Sequence, residues 1–387
     1  MKIVSIRQAD LPISSPGKNA VVDFAGLKTS AVAIKTDQMR NGKTLVGYGF
    51  GSIGRWAEGG VLTDRLIPRL MAEPPDALLD DAGIVDPIHC AAVAMRNEKP
   101  GGHGGRAVAM GALDMAMWDL VAKAEERPLY RVLADRFRGG AADTDIAVYA
   151  AGGYYGSGGV VGLEDEIRSY LDRGYREVKI KVGAAPLSED ISRIEAALAL
   201  LGHDGSRLAV DANGRFTLDE ALAFGRAIAP YGLRWYEEAG DPLDFRLQAV
   251  LAESYEAPLA TGENLFSHQD ARNLFRYAGM RPDRDIVQFD AGLSYGLSDY
   301  MKTLALMDQM GWSRRRLHPH GGHQMSLHIA AGLGLGGNES YPGVFQPLGG
   351  FADDQKVSDG RVCLPDVPGI GLELKSELWK WLQDNLS

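Results

Sequence analysis

The sequence predicts an α/β fold: a closed barrel of parallel strands wrapped in helices, with a smaller α+β module beside it. Three observations carry that prediction. From about residue 144, short strand-like runs alternate with amphipathic helical stretches, the rhythm of repeated βα units. Three acids, Asp211, Glu237 and Glu263, recur at equal intervals, 237 − 211 = 26 and 263 − 237 = 26. That is about one βα unit of an eight-unit barrel of roughly 250 residues. The chain, at 387 residues, is long enough for such a barrel plus a further module. An open doubly wound sheet competes. It would carry a G-x-G-x-x-G phosphate loop after its first strand, and none follows residues 146–151.

In chain order, residues 3–11, 29–36 and 44–50 are strand-like, and Asn41-Gly42 supplies a hairpin turn between the last two. Helical periodicity follows over 62–72, 84–95 and 106–124, with the glycine-rich loop 99–105 between the last two. The barrel strands are expected at 146–151, 177–182, 208–211, 233–237, 258–262, 286–290 and 316–319. Helices are expected between them, for instance at 164–173, 189–201, 218–229, 269–278 and 297–310. After about residue 336 the chain is rich in Gly, Pro and Asp, then closes on a helix at 375–385 expected to return to the N-terminal segment.

Composition narrows the function. A hydrophobic content of 45% with 24% charged residues is that of a soluble globular enzyme. A net charge of −10 with no basic block argues against nucleic acid or an anionic membrane as partner, yet leaves room for an anionic substrate in a locally cationic pocket. Two cysteines, Cys90 and Cys363, encode neither a disulfide framework nor a thiolate zinc site. With no signal-peptide apolar core in residues 1–15 and no run of about 18 apolar residues, the expected home is the reducing cytoplasm.

The chemistry is concentrated at strand ends. Asp211, Glu237 and Glu263 each close an apolar run, so in a barrel they point into one mouth. Three oxygen ligands converging there suit a hard divalent cation, Mg²⁺. In Glu177-Val178-Lys179-Ile180-Lys181-Val182 the period of two puts Lys179 and Lys181 on one face, directed inward in a buried parallel strand. Two close ammonium groups are expected to depress each other's pKa. Lys181, nearer the strand end, is then the general base, and Lys179 the tuning group and substrate-anion contact. His320, in the seventh strand end 317–323, would face Lys181 across the bore, with Asp290 to orient it and raise its pKa. His318 and His323 are not separable from it by spacing. Metal, amine and imidazolium around one mouth fit proton abstraction next to a carboxylate. The outcome is racemisation or epimerisation if the acid reprotonates carbon, and dehydration if it expels a β-hydroxyl.

These residues, in order and spacing, resemble the enolase superfamily and its mandelate racemase-like branch. A second signature lies at Ala112-Leu113-Asp114-Met115-Ala116-Met117-Trp118-Asp119-Leu120, Lys123 and Pro128-Leu129-Tyr130. The resemblance implies a modified TIM barrel, (β/α)7β, under an α+β capping domain. Residues 1–125 would form the capping domain, 144–340 the barrel, and 341–387 a tail returning to the cap. It also implies Glu339 as a substrate contact ending the last strand. The usual Glu-Glu-Pro is here Glu237-Glu238-Ala239, which leaves Glu238 an auxiliary. Residues 97–104, 150–155 and 319–327 further resemble the D-tartrate dehydratases. That implies a small hydroxy-diacid substrate, with Lys99 on its distal carboxylate and Asn19 and Arg55 as further contacts. Other acid-sugar dehydratases, an epimerase, or a catalytically silent metal-binding barrel are the alternatives. Homo-oligomers are common among such proteins, and the composition is compatible with one.

Overall fold

The N-terminal module is built on a hairpin whose turn is dictated locally. The computed structural model describes residues 1–15 and 17–387. Its strands β1 (Ile3–Pro12), β2 (Lys28–Arg40) and β3 (Lys43–Phe50) pair antiparallel in that order. Asn41 and Gly42 both take positive φ, 49° and 74°, as a tight two-residue connection requires. Helix Gly105–Ala124 lies over β3 and is buried on nearly every side, which explains its apolar character all round. It can lie that close because β3 carries glycine. A Cβ on Gly47 would stand 2.2 Å from the Ala116 carbonyl oxygen, and one on Gly49 2.4 Å from that of Ala112. Two buried aspartates of the 112–120 motif tie this helix to its surroundings. Asp119 accepts from the amides of Tyr48 (2.8 Å) and Ile370 (2.7 Å), and Asp114 accepts from Ser298 Oγ (2.5 Å).

Two N-terminal helices differ from expectation. Residues 59–71 are helical with a π-turn over Leu62–Leu66. The helix expected at 84–95 begins at Pro87 and runs Pro87–Ala94, because Asp86 caps it by accepting from the Ile88 and His89 amides.

The barrel staves are β4 (Asp145–Gly152), β5 (Val178–Lys181), β6 (Leu208–Asp211), β7 (Trp235–Glu237), β8 (Leu259–Thr261), β9 (Ile286–Val287) and β10 (Asn338–Ser340). Each pairs in parallel with the next from β4 to β9, and β10 returns to pair with β4. Between β9 and β10 stands Leu317, which bridges Val287 and accepts from the Gly336 amide at 2.9 Å, so the ring closes. The strand expected at 316–319 is therefore reduced to a single bridge. Pro319 has no N–H to donate, although the His318 and His320 amides still reach the carbonyls of Val287 (2.9 Å) and Gln288 (3.4 Å). Helices Gly159–Asp172, Leu187–Leu200, Leu218–Ile228, Phe245–Ser254, His268–Tyr277 and Leu297–Gln309 lie in the connections between staves, and Gln324–Leu333 precedes β10.

The C-terminal helix Ser376–Leu386 lies on the N-terminal sheet, where Trp379 meets Tyr48 edge-on at 5.3 Å and Gln383 Nε2 donates to the Tyr48 hydroxyl at 3.0 Å. The N-terminal loop crosses to the barrel end. Ser14 and Gln346 exchange two backbone bonds (2.8 and 3.0 Å), and the Tyr155 amide donates to the Lys18 carbonyl (3.1 Å). Among the described residues no helix is long and apolar enough to cross a membrane.

Candidate active site

Pleating sends alternate residues of each stave inward, and the register sets their height. Lys181 pairs with Asp211 and Asp211 with Glu237 across neighbouring staves, so these three stand side by side. Glu263 follows β8 directly. Asp211, Glu237 and Glu263 are buried, and each offers an oxygen within 4.8 Å of the others. The two lysines face this cage. Lys181 Nζ is 2.5 Å from Asp211 Oδ2, while Lys179 Nζ lies 2.5 Å from Glu237 Oε1 and 2.8 Å from Glu339 Oε1. Trp235 Nε1 (2.7 Å) and Gln288 Nε2 (2.8 Å) hold the other Glu237 oxygen. Asn213 donates its amide to Asp211 at 2.8 Å.

The charge balance tests whether a cation fits. Asp211, Glu237, Glu263 and Glu339 are four buried carboxylates against two ammonium groups. Burial, then Asp211, push Glu237 up to about 8 even with Lys179 at 2.5 Å, as expected where positive charge is short. A divalent cation between these oxygens supplies what is missing, so the donor set and its charge both fit one. Lys179 does lower Lys181, but the expectation that the pair is brought down toward neutrality is overturned. Burial is the largest influence and lowers both, but Asp211, Tyr154 and Glu263 together outweigh it for Lys181, and Glu237, Glu339, Tyr149 and Asp211 together do so for Lys179, so both stay protonated. Lys179 is wholly enclosed and locked between Glu237 and Glu339.

On the other side of the cage His320 Nε2 stands 3.7 Å from Glu263 Oε2, and Nδ1 donates to Asp290 Oδ2 at 2.9 Å. Burial opposes its charge, but Glu263 and Asp290 prevail and raise it to about 9. The other two histidines separate cleanly. Burial lowers His318 to about 3, packed against Tyr149 and Trp235. His323 is lowered by burial to about 4 and caps helix Gln324–Leu333. Glu238, at φ 40°, accepts at both oxygens from Asn264 Nδ2 at 2.8 Å, and the same Nδ2 lies 3.3 Å from Glu263 Oε1, which keeps Glu238 beside the cage as an auxiliary acid.

The mouth is lined by aromatic rings that sequence reasoning missed. Tyr154 carries Lys181 Nζ 5.3 Å from its ring centre, and Tyr341 lies 6.3 Å from the His320 ring. Phe345 joins them at 5.9 and 4.8 Å, and Phe24 of the N-terminal loop closes on Phe345 at 5.1 Å. Tyr154 was visible only as part of the 150–155 stretch; Phe24, Tyr341 and Phe345 stand in no periodic run. The three expected cap contacts are not brought to the cage. Asn19 is buried but turns its Oδ1 back onto the Val21 and Val22 amides (2.8 and 2.6 Å). Arg55 lies 5.2 Å over the Phe266 ring. Lys99 is exposed on a separate cavity of 370 Å³ that Ser267, His268 and Tyr295 also line.

Comparison with known proteins agrees with this architecture. The enolase C-terminal domain-like family matches residues 162–378. An L-talarate/galactarate dehydratase of Salmonella typhimurium is 29% identical over 389 residues, covering 98% of this chain and 90% of its own. A 3,6-anhydro-α-L-galactonate cycloisomerase of Streptomyces coelicolor is 32% identical over 285 residues, 71% of this chain and 72% of that one. The Salmonella dehydratase liganded with Mg and L-lyxarohydroxamate superposes with a TM-score of 0.74 at 25% identity, covering 97% of this chain and 91% of that chain.

Proposed function

The chain belongs to the enolase superfamily, and from that premise we propose that it is a Mg²⁺-dependent acid-sugar dehydratase whose substrate is D-tartrate and whose products are oxaloacetate and water. One observation carries the reading. A single buried acid cage is flanked by two different proton carriers, Lys181 at its Asp211 end (2.5 Å) and His320 at its Glu263 end (3.7 Å). Asp211, Glu237 and Glu263 would hold the metal. When bound, Mg²⁺ supplies positive charge to the substrate carboxylate whose α-proton leaves, and it replaces the lysines as counter-charge to the three acids.

Lys181, protonated while paired with Asp211, first gives that proton to solvent, and as the free amine its Nζ takes the C2 proton. His320, held by Asp290, gives its Nε2 proton to the C3 hydroxyl, which departs as water. The enol left behind regains a proton at carbon and becomes oxaloacetate. Lys179 serves this chemistry by holding Glu237 and Glu339 in place, and Glu339 in turn accepts from the Gly321 amide at 3.1 Å, beside His320. Arg55 and Lys99 both face the 263–268 loop from the N-terminal domain, Arg55 through Phe266 and Lys99 through Ser267 and His268. Asn19 Oδ1 is taken by the Val21 and Val22 amides, so none of the three is assigned to the distal carboxylate. A short diacid is supported by the resemblance of residues 97–104, 150–155 and 319–327 to the D-tartrate dehydratases. The relatives support the acid-sugar class rather than the individual substrate.

The test is a panel of hydroxy-diacids and sugar acids incubated with enzyme and Mg²⁺, with oxaloacetate read through malate dehydrogenase. Oxaloacetate from D-tartrate is expected. Turnover of galactarate or arabinonate instead would replace the substrate but keep the reaction. Solvent deuterium in recovered substrate without dehydration would establish an epimerase in its place.

A further inference from the structure

His320 and Asp290 belong to the barrel, yet one of the groups that orient them does not. Ser52, fully buried just beyond β3 in the N-terminal domain, lies with its Oγ 2.5 Å from Asp290 Oδ2 and 2.9 Å from His323 Nε2. The direction of each bond follows from the donors available. The Ser326 amide points at His323 Nδ1 from 3.1 Å, so Nδ1 is the acceptor nitrogen. A neutral imidazole then carries its proton on Nε2, which donates to Ser52 Oγ. That leaves the serine hydroxyl proton for Asp290 Oδ2, a carboxylate that can only accept. Asp290 Oδ2 also receives His320 Nδ1–H at 2.9 Å, and Oδ1 receives the Gly292 amide at 2.8 Å. Every donor and acceptor in the chain His323–Ser52–Asp290–His320 is thereby matched.

We infer that Ser52 is a positioning residue for the acid: docking of the N-terminal domain completes the hydrogen bonds that aim His320 at the substrate. The inference rests on the reading of His320 as the proton donor in dehydration. Two packing facts support it. Gly321, at φ 112°, has no Cβ where one would lie 2.7 Å from both Ser52 Oγ and His323 Nε2 and 3.0 Å from Asp290 Oδ2. The residue beside His320 thus leaves the space the relay occupies. Phe50, at the end of β3, meets the His323 ring edge-on at 5.0 Å, so the same two N-terminal residues that dock the domain also fix the relay's far end.

The consequence is specific to one half of the reaction. Lys181 is held by Asp211 and stands outside the relay, so removing the Ser52 hydroxyl leaves proton abstraction in place while misaiming the acid. Ser52→Ala with Mg²⁺ and an accepted hydroxy acid is expected to lose roughly 10- to 100-fold in kcat for dehydration, as loss of an orienting partner does. KM stays within about threefold, and solvent deuterium appears at C2 of recovered substrate as the carbanion returns. Ser52→Cys, similar in size with a weaker donor, falls between. Circular dichroism and thermal melting establish that both variants fold. NMR of ¹⁵N-histidine-labelled wild type is expected to show His323 protonated on Nε2. Unchanged kcat in Ser52→Ala, parallel loss of deuterium exchange and dehydration, or an Nδ1-protonated His323 would each overturn the inference. A wild type that dehydrates no acid would instead overturn the functional reading, and the NMR result would still decide the relay.

Discussion

At the scale of single residues the site works by opposition of charge. Four acids hold both lysines protonated, so Lys181 becomes a base only when another cation meets those acids. Lys181→Ala is expected to lose roughly 10²- to 10⁴-fold in kcat, together with C2 deuterium exchange. His320→Asn is expected to lose dehydration over the same range while retaining exchange, a contrast that assigns base and acid in one experiment. The acid must carry its proton, and the Asp290 hydrogen bond favours the charged imidazole, so dehydration falls as pH climbs through the His320 pKa and the limb vanishes in the Asn variant. The stability sign runs the same way. A histidine whose folded pKa lies above its ordinary 6.5 contributes stability that is complete below 6.5 and is lost as pH rises through about 9. Denaturation midpoints of wild type and His320→Asn across that window check it.

At the scale of elements, ends and contacts matter more than propensity. Helix Leu218–Ile228 opens on a capping box, with the Thr217 hydroxyl accepting the Glu220 amide and the Glu220 carboxylate accepting the Thr217 amide. Thr217→Ala is expected to cost about 1 kcal/mol in urea unfolding with kcat unchanged, since nothing in the cage touches it. Gly47→Ala is the harsher change. Its Cβ would meet the Ala116 carbonyl at 2.2 Å, and overpacking of this kind costs about 1–3 kcal/mol. Within the barrel, Lys181 and Asp211 face each other because β5 and β6 pair at that register. A slip of β5 by one residue would turn Lys179 and Lys181 outward and leave Asp211 without its partner.

At the scale of the molecule, the acid cage is an electrostatic debt in the folded chain that a divalent ion relieves. Mg²⁺ binds the native state and not the unfolded one. It is therefore expected to raise Tm in a concentration-dependent way, by the equivalent of about 2.7 kcal/mol at a hundred times its Kd. Differential scanning calorimetry with and without chelator reads this, and Asp211→Asn should flatten the response. Failure of any Mg²⁺ dependence in wild type would remove the metal from the scheme. The N-terminal sheet, the C-terminal tail and the barrel meet along helix Gly105–Ala124, where Asp119 accepts from Tyr48 and Ile370 and Asp114 from Ser298.

Much of this was legible in the sequence because it is periodic or local. A two-residue alternation is enough to put Lys179 and Lys181 on one face, and a repeat of 26 puts Asp211, Glu237 and Glu263 at successive stave ends. Asn41-Gly42 announces its own turn. The helices at 164–173 and 218–229 were visible, as was the twenty-residue Gly105–Ala124, whereas Leu129–Phe137 and the buried Gln324–Leu333, which has no polar stripe, were missed. Protonation of the lysines was misjudged, since spacing along one strand reveals the neighbouring amine but not how closely the acids of four other staves approach it. Ser52 and Asp290 are 238 residues apart. That pair, the ring of Phe24, Tyr154, Tyr341 and Phe345, and the choice of His320 over His318 and His323 arise from contacts between distant segments. Only closure of the barrel under its N-terminal domain brings those together, because desolvation and charge act through space and leave no mark along the chain.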